Sequence, residues 1–475
     1  MHSSPRPPGT AGSVRLGAGR HRISAAGVVV ITVSAAAPAA KVITFTTGGA
    51  ATAGFAIVVV IVGALVMLQG VGYLAAARTL TDAGVPTGFY TVVAHGLGRL
   101  PGITAGWIAV AAYTALAAGM AGMAGHAVST AVAADGGGDA MPWQIGATTV
   151  ILVAGTVGAW RLAAVRAVLG IVAALQIAAM VFLALSGSLP HTLLGDQAAE
   201  ATGPAPLILG AAVFAGVEIS VMYVSSCRAG HRGITRAGVT TLGLLIVLTA
   251  GTTIALSSAA KSDVADAATP SAGPLIAGWG IVAASAAAAT VALHNAATAY
   301  AVQLGRDAAA PAVLGTTSTR RHRPVIATAV QTLLGFAAIG TATATGMDVL
   351  TFSRVTLVSG TVGILVLLAV TALSVTAQCV TRSDRESPAA RTRRRRIGTS
   401  SITASVLLTF LALLVLSRPS AALGVGPESW LPATVLAGYV VVLVIATVWA
   451  LLMRRRTELY RRVAGLGTAT TRTRL

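Results

Sequence analysis

Charge is what this chain has least of. Only 10% of its 475 residues are Asp, Glu, Lys or Arg, against about 25% in soluble globular proteins. Acidic residues number just 14. Aromatics make up 4%, too few for the base-stacking platforms of single-strand nucleic-acid binders. Two cysteines exclude a disulfide framework, and neither has a neighbour at metal-ligand spacing. A P-loop is missing, which argues against an ATP-driven pump. No local Ser/His/Asp motif points to a hydrolase. The chain therefore predicts no enzyme, no cofactor and no metal site. What it has in excess is apolar: 55% hydrophobic residues and a mean hydropathy of +0.81. Such a composition predicts an all-α polytopic membrane protein.

A span of the hydrocarbon core needs roughly 20 apolar residues. Twelve such stretches occur, near 24–47, 54–76, 102–130, 143–159, 167–187, 207–226, 237–258, 274–304, 324–345, 350–377, 399–417 and 433–453. The net charge of +19 would suggest nucleic acid in a soluble protein, but here its placement decides. With the N-terminus inside, the inside segments carry 29 of the 33 Lys and Arg residues, the outside loops carry 3, and Lys41 lies within the first span. Lys and Arg favour cytoplasmic loops, so both termini are expected in the cytoplasm and the protein in the plasma membrane. The runs Arg393–Arg396 and Arg454–Arg456 read as topology anchors that also meet anionic lipid. The first apolar run mimics a signal peptide but continues past Lys41, so it reads as a retained helix.

The expected organisation is a disordered cytoplasmic tail (1–23), a ten-helix core (24–377) and a basic cytoplasmic loop (378–398). Two extra helices (399–453) and a basic tail (454–475) complete it. Within the core, 24–187 and 207–377 read as two five-helix halves.

The opening spans of the two halves are both interrupted. The first contains Ser34-Ala35-Ala36-Ala37-Pro38, followed by Lys41; proline removes a helix hydrogen bond and clashes with the preceding turn. The sixth contains Phe214-Ala215-Gly216-Val217-Glu218. Interrupted helices at matching positions of two halves point to a transporter binding site, because freed backbone groups survive at that depth only when buried in protein or lining a cavity. A half-helix N-terminus attracts an anionic group, and freed carbonyls at a C-terminus attract a cation. Together these ends suit a zwitterion such as an amino acid.

A charge at mid-bilayer costs about 2.5–3.5 kcal/mol, so Glu218 and Lys41 are expected to face a cavity or a partner. Glu218 has four open roles: proton carrier, partner of a substrate amine, partner of Lys41, or cap of the broken helix. Lys41 either takes part in coupling or snorkels to an interface. His294, in the eighth span, either relays protons or bonds a neighbouring helix. Tyr113 is a candidate cavity residue. Asp348 and Arg354 are candidates for an external gate pair. Few aromatics flank the breaks, which predicts a pocket without a strong aromatic clamp.

The order and spacing of several segments resemble those of amino acid permeases in the amino acid–polyamine–organocation superfamily. These segments are Ser34 to Pro38, Ala83 to Tyr90 with Gly96 to Arg99, Phe214 to Glu218, and His294 to Asp307. The resemblance covers roughly 25–380. It implies a 5+5 inverted-repeat fold with broken helices 1 and 6. It also implies that the breaks hold the substrate amine and carboxylate, at Ser34, Ala35, Ala36 and Ala37 and at Phe214, Gly216, Val217, Glu218 and Ile219. Transport coupled to protons or to exchange is then expected, with Glu218, Lys41 and His294 as coupling or gating residues. The chain departs from the family in its three alanines at the first break, in Lys41, in a fifth span without lysine, and in a basic loop after helix 6. Alternatives are an organocation or polyamine carrier, and a non-transporting membrane sensor on the same scaffold.

Overall fold

The computed structural model describes residues 23–45, 53–134, 141–158, 162–186, 205–227, 230–259, 272–318, 323–381 and 387–465. Regular structure among them is helical. The first span is divided into α1 (Ala25–Ala36) and α2 (Pro38–Phe45), followed by α3 (Ala53–Asp82), a short α4 (Phe89–Leu97), α5 (Arg99–Ala134), α6 (Trp143–Gly158) and α7 (Leu162–Ser186). The sixth span is divided into α8 (Ala205–Phe214) and a 3-10 segment (Val217–Ser226). After it come α9 (Gly230–Ala259), α10 (Ala272–Arg306), α11 (Val325–Ala344) and α12 (Val349–Thr381). The chain closes with α13 (Pro388–Ser417), the short α14 (Pro419–Leu423), α15 (Leu431–Arg454) and α16 (Thr457–Arg462). Among the described residues, eleven spans are long and apolar enough to cross a membrane, and the shorter apolar helix Trp143–Val157 stands where the expected fourth span lies.

The divided first and sixth spans lie against each other, α1 packing on the 3-10 segment. The α1, α5, α8 and α10 helices are mostly buried. Their Ala- and Gly-rich faces let backbones approach closely, the packing mode that works in lipid, where apolar burial alone gives no drive. A Cβ added at Gly119 of α5 would lie 2.8 Å from the side chain of Leu357 on α12. Large apolar side chains instead point outward on the peripheral helices, as with Leu185 (83% exposed) on α7 and Val247 (69%) on α9.

Two expected boundaries shift. Of the stretch expected as a loop at 378–398, residues 378–381 finish α12 and 388–398 open α13; residues 382–386 lie outside the described ones. The local chemistry explains it: Ser387 accepts from the Ala390 amide (3.3 Å), Pro388 stands at the first helical position, and arginine is a strong helix former. The tail expected at 454–475 is structured to Gly465. The Ala464 amide donates to Asp307 Oδ2 (3.0 Å) and Tyr90 Oη (3.1 Å), and Tyr90 in turn donates to Asp307 (2.7 Å). Trp449 Nε1 donates to the Ala308 carbonyl (2.8 Å). Burial raises the Asp307 carboxyl above its ordinary range, against the pull of these hydrogen bonds. The N-terminal tail to residue 22, residues 187–204 and the final ten residues lie outside the described ones.

Candidate functional site

The first break falls on Ala37. Proline disfavours a right-handed helical conformation in the residue before it, and Ala37 adopts φ 45° and ψ 56°, closing α1 with its amide on the Val33 carbonyl (3.0 Å). A non-glycine residue in that region costs about 1–2 kcal/mol. The second break falls on Gly216, at φ 112° and ψ −18°, a conformation that glycine adopts without a Cβ penalty. The two breaks touch. A Cβ at Gly216 would fall 2.7 Å from the Ala35 carbonyl oxygen and 2.8 Å from its carbon.

Breaking a helix strands donors at one new end and acceptors at the other. Here the chain's own side chains meet several of them. Lys41 of α2 is fully buried, and its Nζ donates to the carbonyls of Ala212 (2.7 Å) and Ala215 (2.9 Å) at the C-terminal end of α8. The Glu218 carboxylate accepts the Gly216 amide at 2.9 and 3.1 Å. The Ala40 amide, in the first turn of α2, donates to Ser285 Oγ (3.2 Å), which donates to Gln176 Oε1 (2.8 Å). A cation thus sits on the negative pole of one half-helix and an anion on the positive pole of the next. Lys41 and Glu218 do not form an ion pair within 4.0 Å of each other; each holds a helix end instead.

Tyr113, the candidate cavity residue of α5, donates through Oη to Glu218 Oε1 (2.9 Å) at the second break. Tyr113 is also the end of a ladder of rings. Its ring lies 5.8 Å from that of Tyr300 on α10, Tyr300 lies 6.3 Å from Phe89 on α4, and Phe89 lies 5.3 Å from Tyr73 on α3, each pair stacked. Tyr300 Oη also accepts the Phe89 amide (3.0 Å). Aromatics are scarce in the composition, but four from distant positions stack in a row that ends at Glu218.

The remaining candidates separate. Ser34 Oγ donates to the Leu169 carbonyl on α7 (3.3 Å), and Ala35, Ala36 and Ala37 are fully buried at the contact with Gly216. The Phe214 ring points at Gly63 of α3, and Ile219 is buried. Val217 and Glu218 line a cavity between α3, the 3-10 segment, α9 and α13. His294 is bonded through Nε2 to Thr332 of α11 (3.1 Å), away from the Lys41 and Glu218 contacts. Asp348 caps α12 through the Leu350 and Thr351 amides (3.0 and 2.9 Å) and makes no ion pair with Arg354, whose guanidinium packs on Gly424. Sequence reasoning missed Gln176, Ser285, Tyr300, Phe89 and Tyr73. The signal was weak: polar or aromatic residues inside spans, without a local motif.

No protein-family model and no curated protein sequence matches the chain. Solved structures do. A manganese transporter from Eremococcus coleocola, in complex with an aromatic bis-isothiourea substituted compound, is similar over 95% of this chain and 97% of that one, with 13% identity and a TM-score of 0.51. Two single-substitution variants of that transporter align over 91% of this chain and 94% of theirs, at 13% identity and a TM-score of 0.48. At this identity the likeness is one of fold: an all-helical, polytopic membrane-transporter fold.

Proposed function

We propose that the protein is a secondary transporter that moves amino acids or related amines across the plasma membrane by alternating access, coupled to protons or to exchange. The carrying observation is the junction of the two breaks. The α8 carbonyls that would hold a substrate ammonium hold Lys41, and the Gly216 amide that would hold a carboxylate holds Glu218. The chain presents its own ammonium and carboxylate to the polar ends that a zwitterion would use. Substrate entry then requires the Gly216–Ala35 contact to part, with Lys41 and Glu218 exchanging these partners for the substrate. This reading keeps the substrate-binding roles of Ser34 to Ala37 and of Phe214 to Ile219, and the coupling roles of Lys41 and Glu218. His294 is better read as a bridge between α10 and α11.

The resemblance to the amino acid–polyamine–organocation superfamily supports the amine substrate class, and the skew of Lys and Arg to one face supports cytoplasmic termini. A divalent metal is a poorer fit. Among the described residues no group of three or more His, Cys, Asp or Glu side chains is placed to hold one, and an ammonium already occupies the Ala212 and Ala215 carbonyls. The close contact of the breaks also favours a second reading, a non-transporting sensor whose site is sealed by its own residues. An organocation carrier would want acidic groups beyond Glu218.

Uptake of pooled radiolabelled amino acids and amines into proteoliposomes, with and without an inward proton gradient, tests the proposal. Gradient-driven uptake by the wild type that Glu218→Gln loses supports the proton-coupled permease. Uptake indifferent to both keeps the permease and removes Glu218 as the coupling group. Ligand binding without flux, from folded protein, overturns transport in favour of the sensor.

A further inference from the structure

The cavity that reaches Glu218 is not shaped for a small zwitterion alone. It has a volume of about 520 Å³, within the range of sites for drug-sized ligands. Along α3 it runs from Val66 to Arg78, a length of about 18 Å at 1.5 Å rise per residue. That is slightly more than one leaflet of a hydrocarbon core about 30 Å thick. Its chemistry is graded along this axis. At one end stand three arginines from two helices, Arg78 of α3 with Arg393 and Arg396 of α13. Among the described residues, the carboxylate that meets these cations is Asp82, which lies 3.9 Å from Arg78 and is largely exposed. The middle is apolar. At the other end lie Glu218 and Gln69; Gln69 is 2% exposed and its Nε2 has no hydrogen-bond partner.

The cavity also opens sideways. Val71 of α3 and Val239 of α9 line it and remain 50% and 46% exposed, on helices whose other exposed side chains, such as Ile61 and Val247, are large and apolar. Apolar side chains exposed at membrane depth face acyl chains. The flanking glycines, Gly70 and Gly238, leave open space where a side chain would stand: a Cβ at either meets nothing within 4 Å.

We propose that this cavity binds one anionic phospholipid, its headgroup phosphate on Arg78, Arg393 and Arg396 and one acyl chain laid along α3 towards the 3-10 segment. Arginine matches phosphate geometry in a bidentate fork, and the apolar middle matches a chain. The arginines on α13 thus form one built site rather than a diffuse basic surface. Because the chain end packs on Val217 and Val221 of the 3-10 segment, short of the polar groups of Gln69 and Glu218, occupancy favours the packing of the second break described above.

The test is a melting experiment on the full-length protein in nanodiscs of phosphatidylcholine, alone or with phosphatidylglycerol. Phosphatidylglycerol is expected to raise the melting temperature of the wild type. Replacing Arg78, Arg393 and Arg396 together by Gln removes at least half of that shift. The matched change at Arg454, Arg455 and Arg456, on the same membrane face but outside the cavity, keeps it. Gly238→Phe fills the cavity without altering charge and also removes the shift, which guards against misfolding of the triple variant. Equal losses in the two arginine variants, or a full shift in Gly238→Phe, overturn the proposal. So does an equal shift with glycerol phosphate in place of the lipid, which would assign a headgroup site with no chain.

Discussion

Replacing Gly216 by alanine tests the junction of the breaks most directly. Two penalties follow from the structure. First, φ 112° is a backbone conformation that L side chains rarely adopt, and holding one there costs about 1–3 kcal/mol. Second, the new Cβ meets the Ala35 carbonyl at 2.7–2.8 Å. That is backbone, which cannot rotate away, and such overpacking costs about 1–3 kcal/mol. The sum, about 2–6 kcal/mol, is a large share of a typical folding free energy of about 5–15 kcal/mol. At about 2 °C per kcal/mol for a long chain, detergent-solubilised Gly216→Ala is expected to melt roughly 4–12 °C below wild type, with uptake lost at temperatures where it stays folded. Gly243→Ala is the control. It sits within α9, a Cβ there meets nothing within 4 Å, and alanine in a helix gains about 0.5–1 kcal/mol over glycine. If Gly216→Ala melts within 1 °C of wild type while keeping uptake, the contact between the breaks does not exist as described.

Lys41→Ala vacates the Ala212 and Ala215 carbonyls; the variant is expected to melt lower than wild type and to regain stability in Na⁺ or K⁺, whereas wild type stays indifferent to either salt. A melting point unaffected by the substitution would show that the ammonium does not hold the α8 end. Glu218→Ala leaves the Gly216 amide and the Tyr113 hydroxyl unpaired, at about 1–3 kcal/mol for each buried group. Glu218→Gln keeps an acceptor and should melt nearer to wild type, so equal losses in the two would contradict the capping geometry. The burial-raised Asp307 carboxyl sets a sign for the fold as a whole. A carboxyl with a raised folded value contributes stability when protonated and loses that contribution as pH rises through the folded value. The melting temperature is therefore expected to fall as pH rises through that range, and Asp307→Asn should flatten the trend.

Much of the fold was legible because hydrocarbon imposes a length and a polarity on every span. Pro38 and the Gly216–Glu218 pair also marked the two breaks, since both violate a rule that membrane helices otherwise keep. That Glu218 is held by Tyr113 was not legible: the sequence offered Tyr113 as a cavity residue and Lys41 as the partner of the acid. What could not be read was who meets whom across distance. Lys41 caps a helix end 171 positions away, and nothing local distinguishes that from snorkelling. The aromatic ladder draws one ring from each of α3, α4, α5 and α10, and four scattered residues leave no periodic trace. The arginines that open α13 read as loop because charge was weighed as topology, while their helix propensity and the Ser387 cap went unread. The docking of Ala464 onto Asp307 and Tyr90 is made by a backbone amide, which any residue but proline supplies.

The ladder of Tyr73, Phe89, Tyr300 and Tyr113 ties α3, α4, α5 and α10 together through three ring stacks. Stacked rings favour one offset and unstack when their carriers slide. Moving any one of α3, α4, α5 or α10 against the others would break a stack, at about 0.5–1.5 kcal/mol for each pair, so joint movement of these four helices is the cheaper course. The Tyr113–Glu218 hydrogen bond joins them to the second break. Parting that single bond would free α8 and the 3-10 segment to move while the rings remain in register. A probe pair across α5 and α10 should then report a constant distance through the transport cycle, and a pair across α5 and the 3-10 segment a changing one.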